Sequence, residues 1–354
     1  MTNEGRGNHM QDVLSIIEKV APDIMDTLRE RYQILRNIYL LGPVGRRVLA
    51  SKMDVTERVL RTETDFLKKR NIITSSKVGM ELSASGEVLY HELDKVMGQL
   101  LGMREKENQL ATYFQIEHCI IASGDSDEQQ KVMDELGRAT MESLNYLLPE
   151  GDNIIAVMGG TTMAEVADHM TTILSNKRHL VFVPARGGLG EAVSIQANSV
   201  SAQMAKKTGG ENRVLYVPEQ VSEETYKPLL QEPAVYNTLK MVDKANCVLH
   251  SIGDARLMAE RRGMSSDVLA LIEKEAAVGE AFGYFFNETG KVVYKIPRIG
   301  LQLKDLARVP CVLAIAGGKS KAKAIEAYMK NAPNQTWLIT DEGAANQILK
   351  GVTL

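Results

Sequence analysis

The chain has 354 residues, 44% hydrophobic and 25% charged, with a formal net charge of −3 at pH 7. That length implies two domains or one large one, and the composition is that of a soluble globular protein. Charges break every apolar run before the ~18 residues of a membrane span. Three widely spaced cysteines with no CxxC or Cys/His cluster exclude a structural zinc site, and they read as reduced core thiols of a cytoplasmic protein.

Residues 1–10 are polar and Gly-rich and read as disordered; Gly7-Asn8-His9-Met10 has the look of a cloning remnant. Residues 11–84 form a first module. Residues 11–41 are helical, with apolar positions every three to four residues from Tyr32 to Leu41, and Gly42-Pro43 stops them. A short helix follows over 45–53. Asp54 can cap the next helix, Glu57 to Lys69, with Glu57 at capping-box spacing. Val59, Leu60, Phe66 and Leu67 then face a core, and Arg58, Arg61, Thr62 and Asp65 face outward. Ile72–Thr74 and Met80–Leu82 read as two short strands around a Ser/Gly turn. Three helices and a small hairpin are the layout of a winged helix-turn-helix, whose second turn helix enters the major groove.

From Arg29 to Lys77 there are twelve Lys/Arg against five Asp/Glu, a balance of +7, whereas Thr112 onward balances to −4. A basic module on an acidic body is an electrostatic signature of double-stranded DNA binding. Arg58 and Arg61 are placed for bases or phosphates, and Arg46, Arg47, Lys68 and Lys77 for phosphates. Thr56 and Thr62, before and on the recognition helix, complete the DNA-facing set. The plainer alternative is a three-helix interaction module with a solvated basic face.

Residues 85–115 read as a linker helix. Leu89, Leu93, Val96, Leu100, Met103 and Leu110 follow a heptad pattern with a polar Glu107 at one seam position, weakened by Gly98 and Gly102. Such a helix either dimerises or packs on the next domain. Residues 116–354 alternate apolar strands (119–122, 154–158, 180–184, 214–217, 247–252, 311–316 and 337–340) with helices such as 131–148, 193–207 and 321–330. Strands apolar on both faces and linked by helices make an α/β domain with a doubly wound, largely parallel sheet.

Ligands bind such sheets where the strands end. Glycine follows five of these strands: Gly159-Gly160-Thr161-Thr162, Arg186-Gly187-Gly188-Leu189-Gly190, Gly253-Asp254, Gly317-Gly318-Lys319-Ser320-Lys321 and Asp341-Glu342-Gly343. A lone Gly-Gly turn needs no ligand. Several on one sheet edge, with Arg186 and Lys321 beside backbone donors, imply a site for a small polyanion, most plausibly a phosphorylated sugar. Arg261 and Arg262 follow the same edge. Candidate acids and bases for an isomerase are Glu280, Asp254, His250, Asp341 and Glu342; Glu280, flanked by small residues, fits either a base or an acceptor of sugar hydroxyls. No Ser–His–Asp or metal-hydrolase spacing is present, and no residue cluster calls for a metal or cofactor.

Several long motifs, in order, resemble bacterial transcriptional regulators of the SorC/DeoR type. The resemblance runs from about Ile34 to Asp341. It is carried by Pro43–Leu49, Glu57–Arg61, Ser123-Gly124-Asp125-Ser126-Asp127, Gly159–Thr162, Phe182–Gly190, Glu280–Tyr284, Ala316–Ala322 and Thr340–Ala344. It implies a self-associating (dimeric or tetrameric) repressor of a glycolytic operon, relieved by fructose 1,6-bisphosphate in a domain resembling phosphosugar isomerases and deaminases with catalysis lost. It further implies that Thr161, Thr162, Arg261 and Lys321 hold phosphates, that Arg186, Gly187, Gly188, Leu189 and Gly190 line the site, and that Gln196 and Glu280 touch the sugar. The alternative is a phosphosugar isomerase with an accessory DNA-binding module.

Overall fold

The structure, a computed structural model, describes residues 16–17, 19–100, 102–188, 192–218 and 222–351. The disorder expected over residues 1–10 and the helix expected over residues 11–15 lie outside them. The chain divides into two compact units, residues 1–106 and 107–354.

In the first unit, α1 (Pro22–Leu41) is followed by α2 (Arg46–Lys52), α3 (Glu57–Lys69) and an antiparallel hairpin of β1 (Ile73–Ser75) and β2 (Met80–Leu82). Proline at the first turn of α1 suits a position whose amide needs no helical partner. Met25, Tyr32, Leu35, Ile38 and Tyr39 form its buried stripe. α4 (Ala84–Leu100) packs against α1 through Tyr90, whose ring stacks on Tyr39 at 4.6 Å.

Three expectations change here. The cap of α3 is Thr56, which accepts from the Val59 amide at 3.4 Å, whereas Asp54 takes a positive φ of 54° outside the helix. Val59 is exposed; Leu60 and Leu67 are buried, and Phe66 is half-buried beneath the Arg31 guanidinium, 3.9 Å from its centroid. The expected linker helix is two, α4 and α5 (Met103–Phe114), separated around Gly102. α4 turns Tyr90 and Met97 inward and leaves Val88 and Leu89 exposed.

Among the described residues, the second unit holds a seven-stranded sheet. Its strands are β3 (His118–Ala122), β4 (Gly151–Val157), β5 (Arg178–Pro184), β6 (Glu211–Asn212), β7 (Cys247–Ser251), β12 (Cys311–Ile315) and β13 (Thr336–Asp341), in the order β3-β13-β12-β7-β4-β5-β6. Every pair is parallel, which buries the central strands on both faces. Helices α6 (Gln130–Leu147), α7 (Thr161–Asp168), α8 (Ala197–Thr208), α9 (Glu223–Gln231) and α10 (Pro233–Asp243) lie between the earlier strands. The strand expected at 214–217 is irregular. Asn198 holds that segment by bonding both the amide and the carbonyl of Leu215.

A second sheet was not anticipated. β8 (Gly253–Asp254), β9 (Ala277–Ala281), β10 (Tyr284–Asn287) and β11 (Val292–Lys295) form an antiparallel meander, with α11 (Ala255–Arg261) and α12 (Ser266–Lys274) between β8 and β9. Phe285, Ala259, Ile272 and Ile296 make its core. α13 (Ala322–Met329) and α14 (Glu342–Leu349) complete the unit. All three cysteines are buried and free, and Cys247 and Cys311 face each other across β7 and β12 with sulfurs 3.3 Å apart.

Candidate functional site

From β4 the chain winds outward to β5 and β6; from β7 it winds the other way to β12 and β13. The loops leaving β4 and β7 therefore diverge, and a crevice opens beyond their C-terminal ends. It is a cleft of ≈ 680 Å³, counting the open solvent it encloses. Its lining includes six of the sequence-identified residues: Thr161, Thr162, Arg186, Arg261, Glu280 and Lys321.

The β4 loop gives the cleft its anion-facing end. Gly160 precedes α7 with φ 130° and ψ 163°, a conformation open to glycine alone without strain. α7 starts at the cleft, with Thr161 and Thr162 in its lining, where the free amides of a helix start favour an anion. Lys321 enters from the β12 loop, and burial lowers its pKa from the usual lysine value, with Asp127 and Asp341 pulling the other way.

That loop is held by carboxylates. Asp341 is fully buried and accepts from the amides of Gly318 at 2.6 Å, Ser126 at 2.8 Å and Ala344 at 2.8 Å. Asp127 accepts from the Ser320 amide at 2.6 Å and its hydroxyl at 2.9 Å. Gly318, with φ 99°, passes so close to Asp127 that a Cβ there would sit 2.4 Å from its Oδ1. The motif Ser123–Asp127 thus positions the loop that carries Lys321.

The meander supplies the other wall. Phe282 and Gly283, both at positive φ, form the two-residue turn between β9 and β10 in the pattern of a type I′ hairpin. The turn brings the Gly283 amide to Glu280 Oε1 at 2.6 Å, and Arg262 Nη2 reaches the same oxygen at 3.0 Å.

Other sequence-identified residues fall elsewhere. The Gly187 and Gly188 amides, expected to face a ligand, donate instead to Ile299 and Val217 carbonyls at 3.2 and 2.8 Å, and neither residue lines the cleft. Gln196 flanks the start of α8 beside Gly188, also outside the lining. Leu189 and Gly190 lie outside the described residues. Of the candidate acids and bases, Asp341 and Glu342 hold backbone amides, and Asp254 caps α11 through the Leu257 amide at 2.9 Å. His250 is buried, and desolvation pushes its pKa from 6.5 down to about 3.

Sequence reading brought Arg262 to this edge together with Arg261, and missed Ser251, Leu257, Met258 and Phe282, all of which line the cleft. Phe282 was legible only as a neighbour of Glu280. The cleft carries four cations, Arg186, Arg261, Arg262 and Lys321, against two carboxylates, Asp254 and Glu280. It suits a ligand with anionic ends and a hydroxylated body.

In the first unit, the side chains of Arg46, Arg47, Thr56, Arg58, Arg61, Thr62, Lys68 and Lys77 are exposed. Arg47 meets Glu57 at 3.1 Å and Arg61 meets Asp65 at 3.8 Å, exposed pairs of little energetic consequence that leave both guanidinium groups exchangeable.

Comparison with known proteins covers both units. The Sugar-bind family of sugar-binding domains matches residues 99–350, and the CggR N-terminal DNA binding domain matches residues 27–97. The central glycolytic genes regulators of Priestia megaterium and Bacillus subtilis are 44% and 42% identical over 341 residues, 96% of this chain and 99% of each of those proteins. Among solved structures, a SorC family transcriptional regulator from Enterococcus faecalis is 62% identical with TM-score 0.66, over 69% of this chain and 99% of that one. The full-length sorbitol operon regulator SorC from Klebsiella pneumoniae, at 15% identity and TM-score 0.62 over 91% of this chain, shares the fold.

Proposed function

This chain belongs to the SorC-type family of transcriptional regulators, which join a DNA-binding domain to a sugar-binding domain, and on that premise we propose that it represses a glycolytic operon and is released by fructose 1,6-bisphosphate. The carrying observation is the cleft itself: threonines at a helix start and four cations suit phosphates, and the Glu280 carboxylate in the same lining suits hydroxyls. The relatives named as central glycolytic genes regulators support the operon class. The three helices and hairpin of the first unit serve as a winged helix-turn-helix, with α3 in the major groove. The chain acts as a homo-oligomer, so that each operator half-site meets one copy.

A ligand loosens operator binding only as far as it binds the two arrangements unequally. The direct test is a thermal-shift screen of sugar mono- and bisphosphates. A specific effector at a hundredfold excess over its dissociation constant adds about 2.7 kcal/mol of stability. Fructose 1,6-bisphosphate should stand out and should weaken operator binding in a titration. A flat screen would sink the reading. Lys321→Ala should blunt the response while operator affinity without effector stays intact.

A further inference from the structure

Arg262 and Glu280 are buried together at the cleft wall, with side chains only 5% and 6% exposed. A buried carboxylate is tolerable when a matched cation and hydrogen bonds hold it. Both are present. The Arg262 guanidinium and the Gly283 amide converge on one oxygen, Oε1. Oε2 takes neither of these bonds, and Glu280 lines the cleft. Arg261, the next residue back, is exposed at the same cleft. Two consecutive arginines at the end of α11 therefore do different work: one faces the ligand space, and the other turns under it.

We infer that Arg262 is a positioning and selectivity residue: it fixes Glu280 as an acceptor for an effector hydroxyl, so the cleft takes phosphorylated sugars and rejects phosphorylated compounds lacking that hydroxyl. The inference rests on the sugar-phosphate reading above. A carboxylate oxygen accepts only, so it attracts O–H donors and repels phosphate oxygens. A site built to bond a hydroxyl discriminates sharply against an analogue without one. The planar fork of arginine sets the carboxylate's orientation, which a lysine point charge does not.

The test compares two probes on the full chain by calorimetry: fructose 1,6-bisphosphate, and hexane-1,6-diol bisphosphate, which has both phosphates and no other hydroxyl. Native protein should favour the sugar. Arg262→Lys and, independently, Glu280→Gln should each weaken the sugar about tenfold or more, with affinity for the diol bisphosphate held or improved. Glu280→Gln retains the side-chain shape and decides the matter if Arg262→Lys does not fold. Equal weakening of both probes assigns the pair to cleft integrity alone and overturns the inference. Unchanged sugar affinity in the variants, or no preference in native protein, overturns it too. Failure of the native protein to bind either probe would instead strike the sugar-phosphate reading.

Discussion

Two buried polar groups in the sugar-binding unit, Asp341 and His250, are accommodated in opposite ways. Asp341 gathers three backbone amides on its two oxygens. Asp341→Asn sets an NH2 against donors and should cost about 2 kcal/mol of stability, read by urea unfolding; an unchanged midpoint would show those amides to be satisfied otherwise. His250 is the reverse case, a base kept neutral. Tyr328 Oη lies 3.0 Å from Nε2, and the Ser251 carbonyl lies 3.3 Å from Nδ1, partners that suit one neutral tautomer. Its folded pKa of about 3 lies below its unfolded 6.5. Below pH ~6.5 the unfolded chain takes up a proton that the native state refuses, so stability falls as pH drops, by at most about 1.4 kcal/mol per unit, until about pH 3. Between pH 6.5 and pH 5 the native protein should lose about 2 kcal/mol more than His250→Gln. Parallel losses would assign the acid limb to other groups.

At the scale of elements, α3 shows how far periodicity reads and where it stops. Its boundaries and its Leu60 and Leu67 core positions follow from spacing. Phe66 does not, because its cover is Arg31 on another helix. The exposed outer face of α3 carries Arg58, and Arg58→Ala should cost operator binding about 1–3 kcal/mol, measured by operator titration, with effector binding untouched. On α4, Tyr90 and Met97 take the inward positions and Leu89 is exposed. If the proposed homo-oligomer forms through this face, Leu89→Lys should lower the sedimentation mass at a given concentration; an unaltered mass would rule the face out.

At the scale of the whole molecule, alternation of apolar strands with helices determined the parallel α/β sheet, and charge segregation determined a basic module on an acidic body. Glycine loops at strand ends picked out Thr161, Thr162, Arg186 and Lys321, the helix after that edge added Arg261, and small neighbours marked Glu280; all six line one cleft. These are local properties, written in composition and spacing. The meander from β8 to β11 was not legible, because β8 and β9 are short and Gly/Ala-rich and acquire strand character only by pairing. The engagement of Gly187 and Gly188 with Ile299 and Val217, and the pairing of Arg262 with Glu280, join residues far apart in the chain. Sequence by itself thus settled which groups this protein brings to its sheet edge. Tertiary structure alone decided which of them face the ligand space and which hold one another, since a hydrogen bond depends on distance in space and not along the chain.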